Sequence, residues 1–224
     1  MLPYSLDAYF GAIGRMNAEL AIFVVIACLL GLFLLVLTWW PALADHKDPR
    51  DIDRRACLVL AAGWFAVGGA FYGTYLEPLF FAAPWIMWGF LLQALLFVGA
   101  AILHPLPARR DGAPVVLIGR LLMLYGLAIV PLLDALFGPG WPDVRFVGLA
   151  PAATVAFTTG WLLTRQPEWR SALLALVPAC AGGLIGYSAL ALKWPLDWPV
   201  AIAAVGTALY LAACPLHGAV RRTG

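Results

Sequence analysis

Charge is what this 224-residue sequence has least of. Asp, Glu, Lys and Arg make up 12% of it and hydrophobic residues 63%, against roughly 25% and 45–50% in ordinary globular domains. Mean hydropathy is +0.90. So few polar side chains could not cover a water-soluble fold, and lipid is the expected solvent for most of the chain. A formal net charge of +2 leaves no basic surface for nucleic acid. Cysteine is scarce too: four residues without a C-x-x-C pair exclude a disulfide scaffold. There is no Ser-His-Asp arrangement, no phosphate-binding glycine loop and no pair of carboxylates in a credible pocket. Loop 45–55 contains Asp51 and Asp53 but lacks the glycine and final glutamate of a calcium loop, and reads as a solvated face with a helix cap. These absences speak against an enzyme, and no cofactor is expected.

Long apolar runs are what the sequence has. A bilayer core about 30 Å thick needs roughly 20 apolar residues per helix. Seven such stretches occur, at about 20–40, 56–76, 84–104, 115–137, 145–164, 171–192 and 199–216. The connections are short, so residues 1–224 form a single transmembrane domain of all-α class. Asp48-Pro49 with Asp51, and Gln166-Pro167-Glu168, carry helix-start chemistry before spans two and six; Pro84 and Pro199 open spans three and seven. Residues 5–15 read as a short amphipathic helix in the interface, with Leu6, Tyr9, Phe10 and Ile13 on one face. Ala42-Leu43-Ala44 looks like a signal-peptide cleavage site, but the run before it is too long and lacks a basic start. Span one is therefore kept.

The cations set the orientation. Lys47, Arg50, Arg54, Arg55, Arg109, Arg110, Arg120, Arg165, Arg170, Arg221 and Arg222 fall on one side, and only Arg15, Arg145 and Lys193 on the other. The positive-inside rule then puts the N-terminus outside and the C-terminus in the cytoplasm, as an odd number of spans requires. Trp85, Trp141, Trp194 and Trp198 gather on the outer side as an aromatic belt.

Leu2-Pro3-Tyr4-Ser5-Leu6-Asp7-Ala8-Tyr9-Phe10 with Arg15 and Asn17, then residues 126–133, and Gly148-Leu149-Ala150-Pro151 through Phe157-Thr158-Thr159-Gly160, give the chain a resemblance. It resembles a bacterial domain-of-unknown-function family of multispan membrane proteins. The resemblance covers most of the chain and implies a bundle of about seven helices in a bacterial cytoplasmic membrane, with no activity attached. It also implies a Cys or Thr beside Pro151, where Ala152 and Ala153 stand.

Spans two and three can be laid over spans six and seven. Gly68, Gly69 and Gly73 then match Gly182, Gly183 and Gly186, and His104 matches His217. The result is a 3+1+3 arrangement of parallel repeats, or a chance match between apolar segments. Gly69/Gly73 and Gly182/Gly186 also have the small-xxx-small spacing of close helix contacts.

Polar groups inside the bilayer are the best pointers to function. Gln93 is the strongly polar residue near a span centre; it either orients a solute or bonds another helix. Thr154 and Thr158 share a face of span five, with Thr159 beside them. Pro131, Pro151 and Pro178 interrupt spans four, five and six, and each frees a backbone carbonyl. They mark a binding path or kinked packing helices. Asp134 joins Asp7, Glu77, Asp143 and Asp197 in an outer rim of solvated acids. A charge-free midplane disfavours ion-coupled transport. Cys57, His104, Cys214 and His217 have spacing compatible with a soft metal but also ordinary packing explanations, so no metal is expected. The sequence favours a non-catalytic subunit or binding protein in a larger membrane assembly, with a membrane-protein partner or a second copy. The alternative is a small permease for an uncharged or weakly polar solute, using spans four to six.

Overall fold

A computed structural model of the chain describes residues 3–40, 49–103, 106–109 and 114–220, without the side chains of 49, 50 and 215–220. His46, Lys47, His104, Arg110, Arg221, Arg222 and the His217 side chain lie outside the described residues. The fold is all helical. Its elements are α1 (Leu6–Glu19), α2 (Ala21–Trp39), α3 (Pro49–Ala66), α4 (Ala83–Leu103), α5 (Pro114–Leu124), α6 (Val130–Phe137), α7 (Pro151–Leu163), α8 (Trp169–Ala191) and α9 (Trp198–Val220). Two π-helical stretches bridge them, Val67–Leu76 after α3 and Tyr125–Ile129 between α5 and α6. Six helices among the described residues are long and apolar enough to cross a membrane, which suggests a membrane protein.

The fifth apolar stretch differs from expectation. Residues 144 and 145 and 147–150 are buried without being helical, and α7 starts only at Pro151. Pro151 does not break a helix. It occupies the first turn, where its missing N–H costs nothing. The thirteen residues of α7 are all buried and rise about 20 Å, short of a bilayer core. Helices α3, α5, α6, α8 and α9 pack around this central helix. Non-helical backbone at such depth is tolerated because protein, not lipid, surrounds it.

Gly148 makes the turn into α7 possible. Its φ of +81° suits glycine alone, and a Cβ there would stand 3.1 Å from the Ala27 Cβ. Its N–H donates to Thr154 Oγ1 at 2.8 Å, and the same hydroxyl donates to Ala150 O at 2.8 Å. Thr154 therefore locks the turn to the helix.

The prolines of α6 and α8 are accommodated in two ways. Before Pro131 the helix widens, and Val130 N–H donates to Tyr125 O, five residues back. Pro178 sits inside α8 and deprives the Leu174 carbonyl of its usual donor. Gln93 Nε2, from α4, donates to that carbonyl at 2.9 Å.

Two further expectations need correcting. The helix read at 5–15 runs to Glu19 and spends its apolar face on the protein, with Phe10, Ile13, Met16 and Asn17 buried. Asp53, read as part of a solvated face, is 4% exposed and paired with the buried Arg165. Arg165 also lies 4.4 Å above the Trp161 ring. Residues 107–109 and 164–166 join there through Arg109 N–H to Thr164 O, 2.9 Å, and Gln166 N–H to Pro107 O, 3.0 Å.

Candidate functional site

The most unusual chemistry lies where α1 covers the bundle. Residue 145 enters the protein on the irregular strand of chain leading to α7, and Asn17 of α1 fixes that strand by donating to the Pro142 and Val144 carbonyls, both at 2.7 Å. Arg145, 1% exposed, is carried inside. Its Nε donates to Asp134 Oδ2 at 2.8 Å and Nη2 to Asp134 Oδ1 at 2.7 Å. The backbone N–H of Arg145 adds a third bond to Asp134 Oδ2, 2.9 Å. Nη1 donates to both oxygens of Asp197, 2.7 and 2.8 Å. The Phe10 ring covers the guanidinium at 5.4 Å.

The expected rim of solvated acids is therefore wrong for Asp134 and Asp197, at 0% and 7% exposure. They are spaced by an arginine that the sequence offered only as an outer-loop cation. The cluster sets two carboxyl groups around one guanidinium.

Asp197 also borders a cavity of about 90 Å³. By the same measure about 10–15 Å³ holds a water, so there is room for a small organic molecule. The walls are Tyr4 just before α1, Tyr9 of α1, Tyr72 of the π-helical stretch, Phe80, Ser188 of α8 and Trp194. Tyr4 stands 5.6 Å edge-on from Phe80 and 6.2 Å from Tyr9; Trp194 packs 5.3 Å from Phe10. Pro151 borders the cavity too and has no N–H to offer it. Burial pushes the Tyr4 phenol up to about 12 and Tyr9 further in the same direction, so both rings keep neutral hydroxyls. The Trp194 Nε1 is buried without a protein partner.

The residues singled out in the sequence do not converge here. Gln93 is fully buried and bonded to Leu174 O. Thr158 Oγ1 accepts from Trp64 Nε1 at 2.9 Å, and Thr159, equally buried, has no partner for its hydroxyl. Thr154 serves the Gly148 turn and borders a separate apolar crevice, about 150 Å³, between α2 and α3. Pro131 and Pro178 lie within helices and line neither space. A third, shallower groove between α5 and α9 is lined by Ile118, Leu122, Ile202, Ala203 and Gly206 among others, and acyl chains suffice to fill it.

The four glycines play different parts. A Cβ on Gly182 would meet the Ala204 Cβ at 2.6 Å, one on Gly186 the Ala201 Cβ at 3.2 Å and one on Gly73 the Met87 sulfur at 2.8 Å. Gly69 faces open space and makes no close contact. Cys57 is buried beside the Asp53–Arg165 pair and Cys214 is half-buried. Among the described residues no three of His, Cys, Asp and Glu gather as metal ligands.

Since Gln93 answers the carbonyl freed by Pro178, the two should be coupled. Gln93→Leu is expected to cost about 1 kcal/mol. In a Pro178→Ala background, whose new N–H can reach Leu174 O, the same change should cost less. Thermal unfolding of the four proteins of this cycle checks it, and additive costs would break the link.

Residues 6–217 match a family described as a family of unknown function, DUF6064. No curated protein and no solved structure matches the chain.

Proposed function

We propose, for a chain that belongs to the DUF6064 family, the role of a non-catalytic membrane-embedded binding protein with its site in the aromatic cavity beneath α1. The observation that carries this reading is a buried cluster of two carboxyl groups around one guanidinium, Asp134, Arg145 and Asp197, of which Asp197 lines that cavity. A purely structural ion pair would be expected to balance its charges, because an uncompensated charge away from water is costly.

The chain crosses the membrane seven times in this reading. The buried segment 144–150 together with α7 makes the fifth crossing, the N-terminus is outside, and the membrane is a bacterial cytoplasmic one. The cation asymmetry supports that orientation. Parallel repeats are part of the proposal. Gly68 approaches Met87 O and the Phe90 Cβ; Gly182, 114 residues later, approaches Ala201 O and the Ala204 Cβ, the positions 114 after Met87 and Phe90. Gly69 and Gly183 both face open space. The match slips by one residue at Gly73 and Gly186, as the extra residue of a π-helical turn requires. The cavity then lies between the two hairpins, taking Tyr72 and Ile86 from one and Ile185, Ser188 and Asp197 from the other. Sites at repeat interfaces are common in small membrane transporters.

The alternative permease reading needs a polar path through spans four to six. The dry contacts of Gln93, Thr154 and Thr158 weigh against it.

The test is mass determination of the tagged protein, extracted from its native membranes in mild detergent, with every bound species identified. A monomer or homo-oligomer releasing a stoichiometric small molecule is expected. A stoichiometric partner protein with nothing in the cavity would replace this role with that of an accessory subunit.

A further inference from the structure

We infer that the cavity beneath α1 takes a small organic ammonium ion. The inference rests on the binding-protein reading and adds the ligand's chemistry to it.

Three features select a cation. The first is the wall. Tyr4, Tyr9, Tyr72, Phe80 and Trp194 surround a space of about 90 Å³, and ring faces attract an ammonium group most strongly where water is excluded. The second is the edge. Asp197 alone brings a formal charge to the lining. Its two oxygens each receive one bond from Arg145, and a carboxylate oxygen has room for another donor. The third is the setting. Asp7, Glu19, Glu77, Asp134, Asp143 and Asp197 share this end of the bundle with Arg15, Arg145 and Lys193, six acids against three bases. Such a field concentrates cations at the entrance.

An anionic ligand would meet Asp197 and the faces of the rings, both repulsive to it.

Of the lining residues, Leu184 and Tyr187 of α8 are exposed, at 42% and 49%.

Choline and its neutral isostere 3,3-dimethylbutan-1-ol separate charge from shape. Both are titrated by calorimetry against the full-length protein in nanodiscs, with the melting temperature followed in parallel. Choline should bind saturably and at least about tenfold more tightly than the isostere, the scale of a desolvated cation–π contact. Tyr4→Ala, at the half-buried N-terminal edge of the cavity, should leave the unliganded protein folded and weaken choline by about tenfold. Asp197→Asn should narrow the preference for choline; if it does not fold, the Tyr4 variant decides. Equal binding of the two probes would overturn the cationic class and leave a binding cavity. Binding of neither, from protein that also leaves its membranes empty, would overturn class and cavity together.

Discussion

Arg145→Met is expected to be among the most damaging single substitutions in the chain. Methionine fills most of the arginine stem's volume under Phe10, but it removes four side-chain hydrogen bonds from two carboxylates that are almost fully enclosed. Two buried like charges would then face each other. Removing one partner of a buried pair costs about 3–5 kcal/mol, because the remaining charge is left without compensation. The backbone N–H of Arg145 still reaches Asp134 and softens the loss slightly. The companion variant, Asp134→Leu with Arg145→Met and Asp197→Leu, should recover most of the stability, since well-packed apolar residues replace buried ions at little cost. It should not recover ligand binding. Thermal and denaturant unfolding in one detergent compares the two. A neutral Arg145→Met would mean that the carboxylates do not hold their charges in the folded protein, and the ammonium inference would lose its edge.

The contrast between the legible and the hidden parts of this molecule follows from what periodicity records. Apolar runs marked α2, α4, α8 and α9 to within a few residues, since each is a continuous apolar stretch long enough to cross a bilayer. The same signal misled at 145–164. A buried irregular segment and a short central helix are both largely apolar, and composition cannot separate them from one continuous span. Arg145 was hidden for a related reason. An arginine near a span end reads as a loop cation under the positive-inside rule, and its partners lie 11 and 52 residues away. A usable hint was present, because Asp134 and Arg145 flank the same turn with apolar residues on either side of each. Of the cavity's tyrosines, only Tyr9 was visible as part of an amphipathic face. Their convergence depends on α1 folding over the bundle, which no local pattern encodes. Gln93 was the opposite case. It was rightly conspicuous, yet its partner is a carbonyl that only Pro178 makes available.

Gly160→Ala is expected to destabilise the protein by about 1–3 kcal/mol, a large effect for one methyl group. At this position α5 and α7 meet backbone to backbone. A Cβ on Gly160 would stand 2.4 Å from Gly119 O and 2.6 Å from Met123 N, and one on Gly119 would stand 2.6 Å from Gly160 O. Seven residues on, Gly126 repeats the approach, 2.5 Å from Ala153 O. Gly119 and Gly126 thus line one stripe of the α5 segment, and α7 lies along it. None of the contacting atoms belongs to a flexible side chain that could turn aside, so one helix must move away from the other. Because every residue of α7 is buried, that displacement disturbs packing on all its sides. Gly183→Ala provides the control. It has open space beside it and should be neutral or stabilising by up to about 1 kcal/mol, the helix propensity of alanine over glycine. Melting temperatures of the two variants in the same detergent give the comparison. Equal tolerance at Gly160 and Gly183 would show that α7 is not clamped by α5, and the rigid floor that places Pro151 beneath the aromatic cavity would have to come from α8 and α9 instead.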